Sequence, residues 1–257
     1  MQRTLALTRA VPASIAACEL THLARAPIDL ALARAQHAAY ERALTQAGCE
    51  LLRLPELPEH PDSVFVEDVA VVLDEVAIMT RPGALSRRGE SDSAAEALRA
   101  HRPLLELKAP APLDGGDVLV LDRTLFVGLS RRTNAAAVTQ LRALVAPHAY
   151  QVEGVQVEGA LHLKTAVTRV AERALLLSPR WVDARHFQSW ESIEIDASEP
   201  FAANALWLGS VLIHAAAFPR TAEGLRARGI TVTSVDASEL AKAEGGVTCC
   251  SLLVRVP

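Results

Sequence analysis

Four times along this chain two short apolar runs rich in Val, Leu and Ile stand on either side of a brief polar turn: "VAVVLDEVAIMTRPG", "DVLVLDRTLFVGLS", "TAVTRVAERALLLSP" and "NALWLGSVLIHAAAF". Turns such as "DE", "DR", "AER" and "GS" between runs of this kind are hairpin signals. Between the hairpins lie stretches with helical spacing, "DLALARAQHAAYERALTQAG", "ESDSAAEALRAH", "RRTNAAAVTQLRALVAPH" and "PRTAEGLRARG". The first ends in Gly48, a C-cap residue, and the third offers Thr133 or Asn134 as N-cap. Strand pair, helix and strand pair thus recur with a period of roughly 40 to 50 residues, a length that points to a closed array. "TLALTRA" near one end and "SLLVRVP" at the other both alternate, and neither has a sequential partner. Pairing them with each other closes a ring. An α+β domain with one mixed sheet satisfies the same spacing.

The chain has 257 residues, half of them hydrophobic, enough for a single domain over 1–257 with a real core. With 26 basic against 30 acidic side chains its formal charge is -4, so no Lys/Arg excess marks it for nucleic acid or an anionic membrane. A small-molecule partner is the expectation. No run of about eighteen apolar residues would span a membrane, and "MQRTLALTRAVP" lacks the apolar core of a signal peptide, so a cytoplasmic protein is expected. The four cysteines agree: Cys18 and Cys49 are isolated, and Cys249 and Cys250, if extended, point to opposite faces. No Cys-x-x-Cys, His-Glu-x-x-His or paired-histidine spacing supports a metal site, and none is expected.

Some polar residues interrupt the apolar pattern. "FVEDVAVV" puts Glu67 and Asp68 inside what reads as a strand, costly unless a cation meets at least one of them. "SRRGE" and "SRRTN" place arginine pairs beyond strands, "LDGGDVLVL" sets Asp114 before two glycines with Asp117 after them, and "LHLKTAV" isolates His162. Each has a structural reading: a core histidine, a turn, a solvated face. Together with a cysteine at a strand entrance they supply a nucleophile, an acid/base, an orienting carboxylate, acids for a cation and arginines for an anion.

The blocks "VFVEDVAVV", "MTRPGALSRRGE", "LDGGDVL", "FVGLSRRTN", "LHLKTAV", "AANALWL" and "GGVTCCSL", in that order, resemble the dimethylarginine dimethylaminohydrolases of the guanidine-modifying superfamily. The resemblance implies a five-bladed, pentein-type α/β propeller of ββαβ-like repeats around a central polar channel. It implies hydrolysis of Nω-methylated L-arginines to L-citrulline and a methylamine, without metal or organic cofactor, by a monomer or homodimer. Position by position it makes Cys249 the nucleophile, His162 the acid/base and Asp114 its carboxylate. Arg87 and Arg132 become the carboxylate-binding pair and Asp68 the main guanidinium ligand. Asp62, Glu67 and the backbone of Leu20 and Ala243 surround the rest of the substrate. Glu244 stands where the family usually has Asp. Lys164 stands where arginine deiminases carry an acid, which favours methylated guanidines provided the lysine points away from the channel. A relative acting on arginine, agmatine or another guanidine is the other enzymatic reading; a binding protein that lost its chemistry is opposed by the intact Cys249, His162 and Asp114.

Overall fold

The computed structural model describes residues 3–256. Strand β1 (Arg3–Arg9) leads through α1 (Leu30–Gln46) to β2 (Cys49–Leu54), which returns parallel to β1. Four units of hairpin, crossover and parallel third strand follow. The first is β3 (Ala70–Val72), β4 (Ala77–Met79), α2 (Ser91–Arg99) and β5 (Leu104–Glu106). The second is β6 (Val118–Leu121), β7 (Thr124–Leu129), α3 (Ala135–Val145) and β8 (Gln151–Gln156). In the third, the short α4 (Leu163–Ala166) precedes β9 (Val167–Arg169) and β10 (Ala174–Leu177), and a 3-10 turn replaces the crossover helix before β11 (Glu191–Glu194). The fourth is β12 (Ala205–Trp207), β13 (Leu212–Ala215), α5 (Pro219–Ala227) and β14 (Val232–Val235). After α6 (Ser238–Ala241), β15 (Leu252–Val256) pairs antiparallel with β1, Leu5 opposite Val254.

The result is five separate three-stranded sheets, the last ordered β15-β1-β2. In each, the middle strand is antiparallel to one neighbour and parallel to the other. Two antiparallel strands need only a tight turn, whereas the parallel return needs a crossover, which is why each hairpin is followed by a helical segment. The first strands of the hairpins, with β15, are innermost: β3 lies against β15, and β9 against β12. This is a five-bladed α/β propeller. Asn134 is the N-cap of α3, accepting from the Ala137 N–H at 3.0 Å, and Asp29 caps α1 in the same way. The core is divided among the blades; α3 lays Leu141 and Val145 on Ile78, Leu113 and Val127, all fully buried.

Two stretches read as extended are not, and the turn expected at the two glycines after Asp114 is present and includes Asp117. Glu67 and Asp68 sit in a 3-10 turn, Val66–Val69, and Gly115–Asp117 forms another. Residues 247–250 form a turn, with the Cys249 N–H donating to Gly246 O at 3.2 Å, and β15 begins only at Leu252. The reason is geometric. Before each inner strand the chain arrives from the rim and must reverse at the crowded centre, where turns leave backbone groups to be satisfied by neighbouring blades.

Candidate active site

These central turns carry the polar residues. Each blade contributes one: Glu67 and Asp68 before β3, Asp114 and Asp117 before β6, His162 and Lys164 before β9, Asn204 before β12, and Cys249 before β15. They are tied to one another across blades. The Glu67 N–H donates to Cys249 O (3.1 Å), Gly116 N–H to Asp68 (2.9 Å), Leu163 N–H to Asp117 (2.9 Å) and Thr248 N–H to Asn204 (3.1 Å).

One cavity of about 20 Å³ is lined by Cys249, His162, Asp114, Asp62, Asp68, Arg87, Arg132, Ala243 and Glu244, with Glu19, Phe65, Leu161 and Gly245. Two residues singled out in the sequence, Leu20 and Glu67, do not line it. Leu20 packs on the core beneath its loop, where Glu19 takes the lining position. Glu67 faces a second cavity on the far side of the centre, held there by Lys164 (Nζ to Oε1 2.6 Å) and by the Thr248 hydroxyl (2.8 Å). The cation required beside Glu67 is therefore Lys164, whose ammonium is drawn away from the first cavity.

His162 is buried and anchored by Asp114, Nε2 to Oδ2 at 3.0 Å, with its Nδ1 turned toward Asp68 at 3.9 Å. Asp114 is itself fixed by the Gly83 N–H at 2.8 Å. Burial alone would discharge the imidazole, but Asp68, the hydrogen bond to Asp114 and the charge of Asp117 outweigh it and raise its pKa to about 9. Asp68 is buried too, yet His162, Arg87 and the Gly116 N–H hold it below the usual carboxylate range. Asp68, Asp114 and His162 bring ligand-type atoms within 4.8 Å of one another, with His162 hydrogen-bonded to Asp114 and Asp68 to Arg87 and the Gly116 N–H. At Cys249 burial, then the charges of Glu67 and Asp68, push the thiol well above its ordinary value. In the resting site the sulfur is thus protonated.

The two arginines differ. Arg87 is buried and shared inward: Nε and Nη2 to Glu90, Nη1 to Asp68 at 2.5 Å, Nη2 also to Phe65 O. Within the described residues this leaves one Nη1 hydrogen of its five N–H groups unpaired. Arg132 is half-buried, with one side-chain hydrogen bond among the described residues, to Thr21 Oγ1 at 2.9 Å. The open pair expected from sequence is thus one open arginine and one that braces Asp68. Glu244 adopts a left-handed backbone (φ 61°) and its carboxylate accepts the N–H groups of Thr21, His22 and Leu23 at 2.9, 2.5 and 2.7 Å. Its longer arm anchors the loop covering the cavity.

Three supports lie outside the residues expected at the site from the sequence. Asp117, fully buried, accepts from Ser130 Oγ, Thr133 Oγ1 and Leu163 N, and burial raises its pKa to about 6. Asn204 joins the Lys164 carbonyl to Thr248. Glu90 holds Arg87. Each lay inside a quoted block, but nothing local in the sequence distinguishes a carboxylate that will be buried from a solvated one.

Comparison with known proteins shows the family and the fold. The family model for eukaryotic N,N dimethylarginine dimethylhydrolases matches residues 23–254. A dimethylarginine dimethylaminohydrolase of Streptomyces coelicolor is 40% identical over 97% of this chain and 96% of its own. The Pseudomonas aeruginosa counterpart is 38% identical over 87% of this chain and 89% of its own. The solved structure of a cysteine-to-serine mutant of the Pseudomonas aeruginosa protein, complexed with citrulline, superimposes with a TM-score of 0.94 at 35% identity, covering 99% of this chain and all of that one. The N-terminal domain of the cyanobacterial arginine dihydrolase ArgZ shares the fold, at 20% identity and a TM-score of 0.87.

Proposed function

This chain belongs to the dimethylarginine dimethylaminohydrolase family of hydrolases, and from that premise we propose that it converts Nω-methylated L-arginines to L-citrulline and a methylamine through a covalent intermediate on Cys249. The observation that carries the proposal is the shared cavity, in which a cysteine, a carboxylate-anchored histidine and a buried aspartate face the same space. A cavity of about 20 Å³ holds little more than one water, so substrate enters when the loop held by Glu244 swings aside.

Asp68, braced by Arg87, accepts the guanidinium, and Arg132 receives the α-carboxylate by its planar fork. The bound cation lowers the raised pKa of Cys249, so the proton leaves the sulfur as substrate binds. Thiolate then attacks the guanidinium carbon. The C–N bond to the methylated nitrogen breaks, its electron pair leaves with the amine, and His162, cationic below about pH 9, supplies the proton. A thiouronium remains on sulfur. Water, deprotonated by the now neutral His162, adds to that carbon; the C–S bond breaks and citrulline departs. Asp114 acts through the histidine, keeping Nδ1 toward the reacting nitrogen.

Preference for methylated guanidines follows from Glu67. With that carboxylate turned away to Lys164, Glu67 does not serve as a second acid to grip the departing nitrogen. Unmethylated arginine would bury N–H donors without acceptors, at about 1 to 3 kcal/mol each. Citrulline formation from asymmetric dimethylarginine, monomethylarginine, arginine and agmatine under one set of conditions is the test. The expected order puts the methylarginines at least about tenfold above arginine in kcat/KM. Equal or faster turnover of arginine refutes the methylarginine assignment, and a preference for agmatine removes Arg132 as a carboxylate binder.

A further inference from the structure

Beside the polar cavity lies a larger one of about 220 Å³, and the two share Leu161, Glu244, Gly245 and Cys249 as a common wall. Cys249 thus borders both. The chemistry of the second space is different. Ala215, Ala217, Phe218 and Val247 line it, and Leu23 and Phe201, 40% and 44% exposed, flank it. Apart from Cys249 its ionisable side chains are His22 and Glu244, and the Glu244 carboxylate is taken up by three backbone N–H groups. It therefore offers apolar surface and no free carboxylate for a second cation.

Its size exceeds what methyl groups require. At about 30 Å³ for each water-sized group, it has room for roughly seven carbons beyond the reacting nitrogen. Its position matters as much. His162, the proton donor to the departing amine, follows Leu161, and Leu161 belongs to both linings. A substituent on the departing nitrogen that outgrows the polar cavity meets this shared wall next.

We infer that the apolar cavity is a subsite for the alkyl group of the departing amine, and that the protein hydrolyses Nω-alkyl-L-arginines with substituents well beyond methyl, such as butyl and benzyl. The inference rests on the hydrolase reading above, and its bonds balance in the same way, with a primary alkylamine leaving in place of methylamine. Each added methylene that enters the cavity favours the transition state by up to about fourfold.

The experiment measures citrulline formation from Nω-methyl, ethyl, propyl, butyl and benzyl-L-arginine with the wild-type protein and with Ala217→Trp, a substitution at an exposed alanine that fills the cavity. Wild type is expected to use the butyl compound at least as well as the methyl one. Ala217→Trp should lose tenfold or more on butyl and benzyl while staying within about twofold on methyl. If the tryptophan variant does not fold, Ala241→Leu, also on an exposed alanine of this lining, takes its place. A tenfold or greater loss from methyl to butyl in wild type overturns the inference, as does a cavity variant that slows every substrate equally. A second arm is independent of hydrolysis: the rate at which N-butyl- and N-methyl-2-chloroacetamide alkylate Cys249, read by peptide mass spectrometry. The butyl reagent should react at least threefold faster in wild type and lose that advantage in the filled variant; equal rates overturn the subsite. If no guanidine yields citrulline, the hydrolase reading fails, and the labelling ratio still decides whether the cavity takes an alkyl chain beside Cys249.

Discussion

At the scale of single residues, adjacent cysteines end up in unlike surroundings. Cys249 is half-buried on the cavity wall, while Cys250 is 2% exposed in the cluster that also holds Tyr40, Leu44 and Phe65, its thiol near Gly246 O at 3.8 Å. Strand alternation led to the same assignment, yet the residues occupy a turn; it is the reversal at residues 247–250 that sends one sulfur to the centre and the other to the core. Cys249→Ser is expected to abolish citrulline formation without altering the thermal midpoint, because a serine hydroxyl is far harder to ionise. Cys250→Ser should retain most activity and cost about 1 to 2 kcal/mol in a urea melt, by placing a hydroxyl in an apolar pocket. Exchanged phenotypes would mean that the turn is wrongly described. The raised pKa of Cys249 makes a second expectation. Alkylation of the free protein by iodoacetamide should be slow at pH 7 and still rising above pH 9. Fast, pH-independent labelling near neutrality would instead indicate a resting thiolate.

At the scale of elements, the five central turns make the site, and glycine is needed where two of them touch. A Cβ on Gly116 would lie 2.5 Å from His162 Nδ1 and 2.9 Å from Asp68 Oδ1, and one on Gly115 would lie 2.0 Å from Glu67 O. Gly116→Ala should therefore displace the imidazole and lower kcat by a hundredfold or more, the usual scale for losing a positioned acid/base, while far-UV circular dichroism stays unchanged. A nearly wild-type kcat would show that the histidine position is not critical. The loop at residues 19–23 is a separate element, held by Glu244 and by the Arg132 to Thr21 contact. Removing the carboxylate in Glu244→Ala loosens that loop, and KM for monomethylarginine is expected to rise about five- to twentyfold with kcat changed less than threefold, since the group touches the loop and not the reacting atoms. A fall in kcat with KM intact would assign Glu244 to the chemistry.

At the scale of the whole molecule, closing the ring brings β1 and β15 together and sets five turns around one axis, so charges distant in sequence share one buried centre. Stability then depends on pH in a stated direction. His162 is held at about 9 in the folded protein against about 6.5 when unfolded, so its contribution is complete below about pH 6.5 and is lost as pH rises through 9. Two to three pKa units correspond to on the order of 3 kcal/mol. The thermal midpoint should fall between pH 6.5 and 9.5 in wild type, and this fall should shrink in His162→Gln; an unchanged slope in the variant would place the titration elsewhere. The hairpins, the capped helices and the residues of the quoted blocks were legible in the sequence, because hairpin turns, caps and apolar periodicity act over a few residues and leave local marks, whereas the pairing of the two terminal strands was one of two arrangements the spacing allowed and was favoured by the family resemblance. The pairing of Glu67 with Lys164 and of Arg87 with Asp68 and Glu90, the exclusion of Glu67 from the polar cavity, the use of Glu244 as a loop anchor and the apolar space behind Cys249 were decided only by tertiary structure. The partners in these contacts lie as many as 223 residues apart, as for Thr21 and Glu244. Which neighbour a buried charge takes depends on the distances that ring closure sets, and Coulomb and desolvation energies change steeply over those few ångströms.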